Sequence, residues 1–236
     1  MVNAFSFCLY GPQNPRYYPA PMTENIQLIL KHFPGWVIFV YVGADVDPRY
    51  VDILKTAPRV ILRYTGKIGA ANMIDRFLAI DEPNVDLMMV RDADSRVHWK
   101  DRWAIKSFLK SPFLAHTIRD NPAHTTAIMG GLWGIRKEAG LVIKDEYTEF
   151  EKNPINLGSG HDQSFLAVQL YPKIKNILLV HYSNDLAGGD PHATEFPFPY
   201  TNDIYCGRVE STPFQDSEEP RSTLGFLPPS FLKISS

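Results

Sequence analysis

Asp86-Leu-Met-Met-Val-Arg-Asp-Ala-Asp-Ser-Arg96 runs from an apolar stretch into four charged side chains, Arg91, Asp92, Asp94 and Arg96. An apolar run of about four to eight residues reads as a buried strand. Carboxylates at its carboxyl end sit where open α/β sheets bind their ligands. Two acidic side chains one residue apart can share a hard divalent cation, which takes oxygen ligands and bridges to substrate phosphates. The expectation is a metal-nucleotide site at a strand end.

Spacing alone does not carry this reading, because Asp45-Val-Asp47 repeats it. That second copy precedes Pro48 and reads as a helix start, with Asp47 as N-cap and Pro48 at the first helical position. No capping or turn purpose accounts for an acidic pair flanked by two arginines after an apolar strand.

Upstream, strand and helix alternate. Ala4 to Leu9 reads as a strand ending at Tyr10-Gly11, and Thr23 can cap a helix to about His32, closed by Pro34-Gly35. Trp36 to Val42 is unbrokenly apolar, as suits a central strand covered on both faces. A helix from Pro48 to about Lys55, a strand Val60 to Arg63 and a helix from about Gly69 to Ile80 lead to the acidic strand, Leu87 to Val90. This rhythm predicts a single α/β domain with a mostly parallel, doubly wound sheet and flanking helices.

Downstream, Trp99 to Lys110 has helical periodicity, and Phe113 to Ile118 looks like a strand. Ile128 to Ile135 reads as a glycine-punctuated strand in which Gly130, Gly131 and Gly134 permit close backbone approach to a ligand. A polar helix from about Lys137 into the Tyr147 region precedes the loop 156–160, then a helix His161 to Leu170 and a last clear strand Ile177 to Val180. Ile204 to Val209 is a further possible strand, and 210–236 reads as a loosely ordered tail. One domain is therefore expected to span 1–209, with a first part at about 1–96 that ends in the acidic cluster and a second part at about 97–209.

The chain has 236 residues, 44% of them hydrophobic, enough for one good-sized core. A net charge of −2 offers no broad field for nucleic acid or an anionic membrane. No apolar stretch approaches about 18 residues, so no membrane span is expected. Two cysteines, Cys8 and Cys206, make no disulfide framework or zinc spacing. With a strand-like N-terminus in place of a signal peptide, the expectation is a soluble, cytoplasmic protein.

A doubly wound sheet would gather Tyr10, Asp92, Asp94, Arg119, His124 and His181 at one edge. His181 is a candidate third metal ligand or a hydrogen-bonded strand-end histidine. Asp162 is a candidate general base or acceptor ligand, or a first-turn carboxylate favoured by the helix dipole. Trp133 could stack on a sugar but suits the core.

Four ordered blocks carry a resemblance: Arg91-Asp-Ala-Asp-Ser-Arg96, His116-Thr-Ile-Arg-Asp-Asn-Pro-Ala-His124, Met129-Gly-Gly-Leu-Trp-Gly134 and His161-Asp-Gln163. With Tyr10-Gly11, Asn25 and Arg76-Phe77-Leu78, they resemble GT-A fold nucleotide-sugar glycosyltransferases, and are similar to the glycosyltransferases encoded by large DNA viruses of algae, of chlorovirus type. The resemblance implies a GT-A-like domain and transfer from a nucleoside diphosphate-sugar, UDP- or GDP-linked, to a glycan or glycoprotein hydroxyl, in the host cytoplasm if virus-encoded. It implies that Tyr10, Gly11 and Arg76 lie near the nucleotide, and that Asp92 and Asp94 carry Mn²⁺ or Mg²⁺ against its diphosphate. Gly130 and Gly131 would admit the donor sugar, Arg119 and either Arg91 or Arg96 would add positive charge, and His124 and Asp162 would serve the catalytic step, with nucleotide bound by about 1–96 and donor sugar and acceptor by about 97–209.

The chain departs from that pattern after its last strand, where His181-Tyr-Ser183 stands in place of His-Asp-Ser and the acid is delayed to Asp185; His192 is a second candidate ligand. Two rival readings remain. One is an Asp-x-Asp phosphatase or phosphotransferase with Gly188-Gly-Asp190 as a second acidic motif. The other is a non-catalytic carbohydrate-binding or virion structural protein using Tyr17-Tyr18, Trp99 and Trp103.

Overall fold

A computed structural model describes residues 1–12, 18–155, 160–184, 186 and 188–218. Eight strands form one sheet: β1 Val2–Leu9, β2 Val37–Val42, β3 Val60–Tyr64, β4 Val85–Arg91, β5 Ala115–Arg119, β6 Leu132–Arg136, β7 Leu178–Tyr182 and β8 Ala193–Glu195. Their spatial order is β3-β2-β1-β4-β6-β5-β7-β8, and among the described residues only β6 runs antiparallel to its neighbours. β4, carrying the acidic pair, is interior, between β1 and β6.

Alternation along the strands explains the unbroken apolar runs. Phe5, Phe7, Leu9, Ile38, Val40, Val42, Leu87 and Met89 face one layer, with helices α1 Ala20–His32, α2 Pro48–Thr56 and α3 Trp99–Lys110. Ala4, Cys8, Phe39, Tyr41, Met88 and Val90 face the other, covered by a 3₁₀ helix Gly69–Asp81, α4 Ile143–Phe150, and α5 His161–Phe165 continuing through a π turn Leu166–Leu170 into α6 Tyr171–Ile174. Both faces are buried, so these strands show no regular apolar–polar alternation.

Local signals set most boundaries. Asp47 caps α2, accepting from Arg49 N at 2.9 Å, with Pro48 at the first position. α1 begins earlier than Thr23, because Pro19 and Pro21 occupy a first turn where a missing N–H costs nothing. The Thr23 hydroxyl donates back to Pro19 O at 2.9 Å. Gly69–Asp81 winds as a 3₁₀ helix, with Asp45 Oδ2 accepting from Gly69 N at 2.9 Å. The expected helix from Lys137 is broken at Gly140, which has φ +72°. α4 starts only where Asp81 accepts from Ile143 N and Lys144 N, both at 2.8 Å.

Trp133 is fully buried, edge-on to Phe77 at 5.2 Å, and belongs to the core. Gly134 is required by packing: a Cβ there would lie 2.3 Å from Met89 Sδ, on the strand paired with β6. β8 had no sequence signal, being three residues long. Ile204 to Val209 makes no strand, only isolated bridges, Thr201 to Ile204 and Ser95 to Val209. The expected loose tail is in part docked: Asp216 binds Lys31, His32 and Arg102 on α1 and α3. Tyr17, 156–159, Asp185 and 219–236 lie outside the described residues.

Candidate active site

Arg76, on the 3₁₀ helix, joins three distant parts of the chain. Its Nη1 donates to Asp92 Oδ1 at 2.6 Å and its Nη2 donates to Asp162 Oδ2 at 3.0 Å. β1 fixes it from below: the Ser6 hydroxyl donates to Arg76 O at 2.5 Å, and Cys8 Sγ lies 3.6 Å from Nη1. Burial disfavours the charged guanidinium, but Asp92, Cys8 and Asp162 together outweigh it and raise the Arg76 pKa. Burial, opposed by Arg76, pushes the Cys8 thiol up to about 11. A fixed positive charge thus sits at the carboxyl edge of the sheet.

Exposure separates the two carboxylates. The Asp92 side chain is 42% exposed, whereas Asp162 is 3% exposed. Asp92 is open to a ligand; Asp162 is an internal anchor for Arg76 at the start of α5. That corrects the expectation of Asp162 as a base facing an acceptor, since its carboxylate is covered and engaged.

The glycine loop is also built around these groups. Gln163 donates through Nε2 to Thr126 Oγ1 at 2.7 Å and Ile128 O at 2.8 Å, and accepts through Oε1 from Gly130 N. A Cβ on Gly131 would fall 2.0 Å from Asp92 Oδ2, and one on Gly130 would fall 2.6 Å from Gln163 Oε1 and 3.0 Å from Asp162 Oδ2. What approaches these two glycines is the protein's own side chains, where a ligand was expected. These bonds also delay β6 to Leu132.

The acidic turn is held from α1. Asn25 Nδ2 donates to Ser95 O at 2.7 Å, and Asn25 Oδ1 accepts from Val97 N at 3.2 Å. The Ser95 hydroxyl donates to Asp92 O at 3.1 Å, and Asp94 is largely buried. Alternation along β1 puts Tyr10 two residues beyond Cys8, packed against the same core layer. Gly11 follows with φ +83°, its carbonyl accepting from the Tyr18 hydroxyl.

Other expected site residues lie elsewhere or are already paired. Arg91 is buried in a bidentate pair with Asp101 of α3, at 2.8 and 2.7 Å. Arg96 donates to Glu24 Oε2 at 2.8 Å and to Asp94 O at 3.1 Å. Both arginines hold the frame. Arg119 pairs with Asp190, which also accepts from the Tyr171 hydroxyl at 2.8 Å, so neither Arg119 nor the Gly188-Gly-Asp190 motif is open for chemistry. His124 Nδ1 accepts from Asp120 N at 3.1 Å and closes a loop; burial lowers its pKa against the opposing pull of Asp120.

His181 does not reach the acidic pair. It lies on the α3 face of the sheet, with Nδ1 bonded to His116 Nε2 at 2.8 Å and Nε2 to Ser107 Oγ at 3.1 Å. No ring nitrogen is left to aim at Asp92 or Asp94. Burial pushes its pKa down to about 3. His192 is at the opposite sheet edge, its Nε2 bonded to Asn176 O at 3.1 Å. Among the described residues no group of three or more His, Cys, Asp or Glu could hold a metal ion. The aromatics offered for sugar stacking are packed away: Tyr18 stacks on Tyr50 at 4.9 Å, and Trp99 and Trp103 both meet Phe198.

Sequence reading missed the anchoring role of Asp162, the brace at Gln163 and the pairing of Arg91 with Asp101. A polar residue within an apolar run, as at Ser6 and Asn25, was the available signal for the supports. The partner of Arg91 left no local signal.

No family model matches the chain, and no curated protein does. Solved structures match it in fold. A glycosyltransferase involved in the glycosylation of the major capsid of PBCV-1 aligns over 77% of this chain and 82% of its own, at 17% identity and TM-score 0.52. The 4-diphosphocytidyl-2C-methyl-D-erythritol synthase of Anaerococcus prevotii DSM 20548 aligns over 78% of this chain and 88% of its own, at 10% identity and TM-score 0.52. The chain has a GT-A-like fold. No helix among the described residues is long and apolar enough to cross a membrane.

Proposed function

We propose that the chain is a glycosyltransferase that moves a sugar from a nucleoside diphosphate-sugar, UDP- or GDP-linked, to a hydroxyl of a glycan or glycoprotein. One observation carries this reading: three motifs far apart in sequence converge on Arg76, which ties Asp92 to Asp162 beside Gly130 and Gly131, at the carboxyl edge of a GT-A-like sheet. Ligands bind open α/β sheets at that edge.

Two carboxylates, with no third His, Cys, Asp or Glu grouped beside them among the described residues, suit Mn²⁺ or Mg²⁺, which keep waters and take substrate phosphates as their remaining ligands. Asp92 and Asp94 are the residues that would hold the ion. When bound there it would stabilise charge on the departing diphosphate. Arg76 sets the angle of Asp92 and adds fixed positive charge behind it. Tyr10 and Gly11, at the end of β1, line the nucleotide side. Asp162 acts through Arg76, by anchoring it.

The test is release of UDP or GDP from a panel of nucleotide-sugars, with and without EDTA, in wild type and Asp94→Ala. The reading expects release that EDTA and Asp94→Ala both abolish; full activity in Asp94→Ala would remove the metal role. Nucleotidyl transfer is the second reading, favoured by the equal structural likeness to the Anaerococcus enzyme. It would consume a nucleoside triphosphate and release pyrophosphate, so product analysis separates the two.

A further inference from the structure

Residues 209–216 cross the acidic turn, and five of them, Val209, Glu210, Thr212, Phe214 and Asp216, bond to it or to α1 and α3 side chains beside it. Val209 bridges Ser95, and Glu210 N donates to Asp94 O at 3.4 Å. Arg96 Nη2 donates to Thr212 Oγ1 at 3.3 Å. Phe214 N donates to Glu24 Oε1 at 3.1 Å, while Glu24 Oε2 holds Arg96. Asp216 ends the series: its Oδ1 accepts from Arg102 Nη1 at 2.7 Å, and its Oδ2 from Lys31 Nζ at 2.7 Å and His32 Nε2 at 2.9 Å. The same Arg102 Nη1 donates to Val97 O at 3.1 Å.

Every residue from Asp94 to Val97 therefore has a partner on this strap or on a side chain the strap holds. Three basic groups on two helices meet one carboxylate, which is only 19% exposed, and hydrogen bonds to charged groups are the stronger kind. We propose that Asp216 is the latch of a C-terminal strap that positions the Asp92–Arg96 turn. Binding of a cation and nucleoside diphosphate at that turn then depends on a residue some way along the chain and outside the sheet. Asp216 is a positioning residue, and its consequence for ligand binding rests on the function proposed above.

The test compares wild type, Asp216→Asn, Asp216→Ala and Asp216→Glu by amide hydrogen exchange without ligand, then by titration with UDP and with GDP in the presence of MnCl₂. Asp216→Asn keeps the shape of the side chain and serves if Asp216→Ala fails to fold. The expected result is faster exchange at 94–97 as well as 209–217 in Asp216→Asn and Asp216→Ala, with recovery in Asp216→Glu. Nucleotide affinity should fall about 10-fold in the first two and return in the third. Faster exchange confined to 209–217, with 94–97 unchanged, overturns the positioning role. If wild type binds neither nucleotide, the functional reading fails while the exchange result still decides the strap; if wild type binds and the variants bind equally, the latch fails alone.

Discussion

Arg76 is the side chain on which the site turns, and its surroundings predict what its loss would do. Arg76 and Asp162 are each 3% exposed, so removing the guanidinium leaves a buried carboxylate without its counter-charge. Breaking such a pair from one side costs about 3–5 kcal/mol, while replacing both members costs far less. Arg76→Met should therefore lower the urea midpoint strongly, and Arg76→Met/Asp162→Asn should recover much of the loss. Equal midpoints for the single and double variants would mean the pair does not share one energetic unit. The same residue shows the reach of local reading. Arg76 was singled out through its likeness to a motif, but that it would grip Asp162, 86 positions further along the chain, follows from the chain folding back. Arg91 and Arg96 flank the acidic pair and invited a phosphate-binding role; burial and carboxylate partners on α3 and α1 take them out of it.

At the level of elements, β5 and β7 bring His116 and His181 together on the face covered by α3, with Phe108 stacked on His116 at 5.1 Å. Burial, reinforced for His116 by the neighbouring His181 and Arg91, depresses both pKa values below the ordinary histidine value of about 6.5. The unfolded chain then takes up protons that the folded chain refuses. Stability is full above about pH 6.5 and falls as the pH drops towards 3, by up to about 1.4 kcal/mol per pH unit for each histidine. Urea midpoints measured between pH 7.5 and 4.5 should fall steadily, and His116→Gln/His181→Asn should flatten that slope. A wild-type midpoint independent of pH in this window would refute the buried-neutral pair. Helices announced themselves well at this scale: α2 and α3 follow their caps and periodicity. The 3₁₀ winding of Gly69–Asp81 did not, because a period near 3 and one of 3.6 both keep residues three apart, such as Asn72 and Asp75, on one side of the helix.

For the whole molecule, a site assembled at one sheet edge from β1, the 3₁₀ helix, β4, the glycine loop and α5 makes ligand binding a brace across the fold. A nucleoside diphosphate with Mn²⁺ at about 100 times its Kd should stabilise the chain by about 2.7 kcal/mol. For a domain of this size that is a rise of about 5–10 °C in Tm. Asp94→Ala should lose the rise above its own ligand-free Tm; an equal rise in that variant would place the ligand elsewhere. The sequence by itself determined the alternating strands and helices and the interior place of the acidic strand, because those rest on apolar period, caps and chain order, which are local; the GT-A-like class was legible through the likeness of short ordered motif blocks. Only the tertiary structure decided that β6 inserts antiparallel between β4 and β5, that His181 turns to the α3 face, that Gly131 makes room for Asp92 and that residues 209–216 return to clasp the turn. Register and layer choice set these outcomes: they are fixed by which distant surfaces pack together, and no window of sequence contains both surfaces.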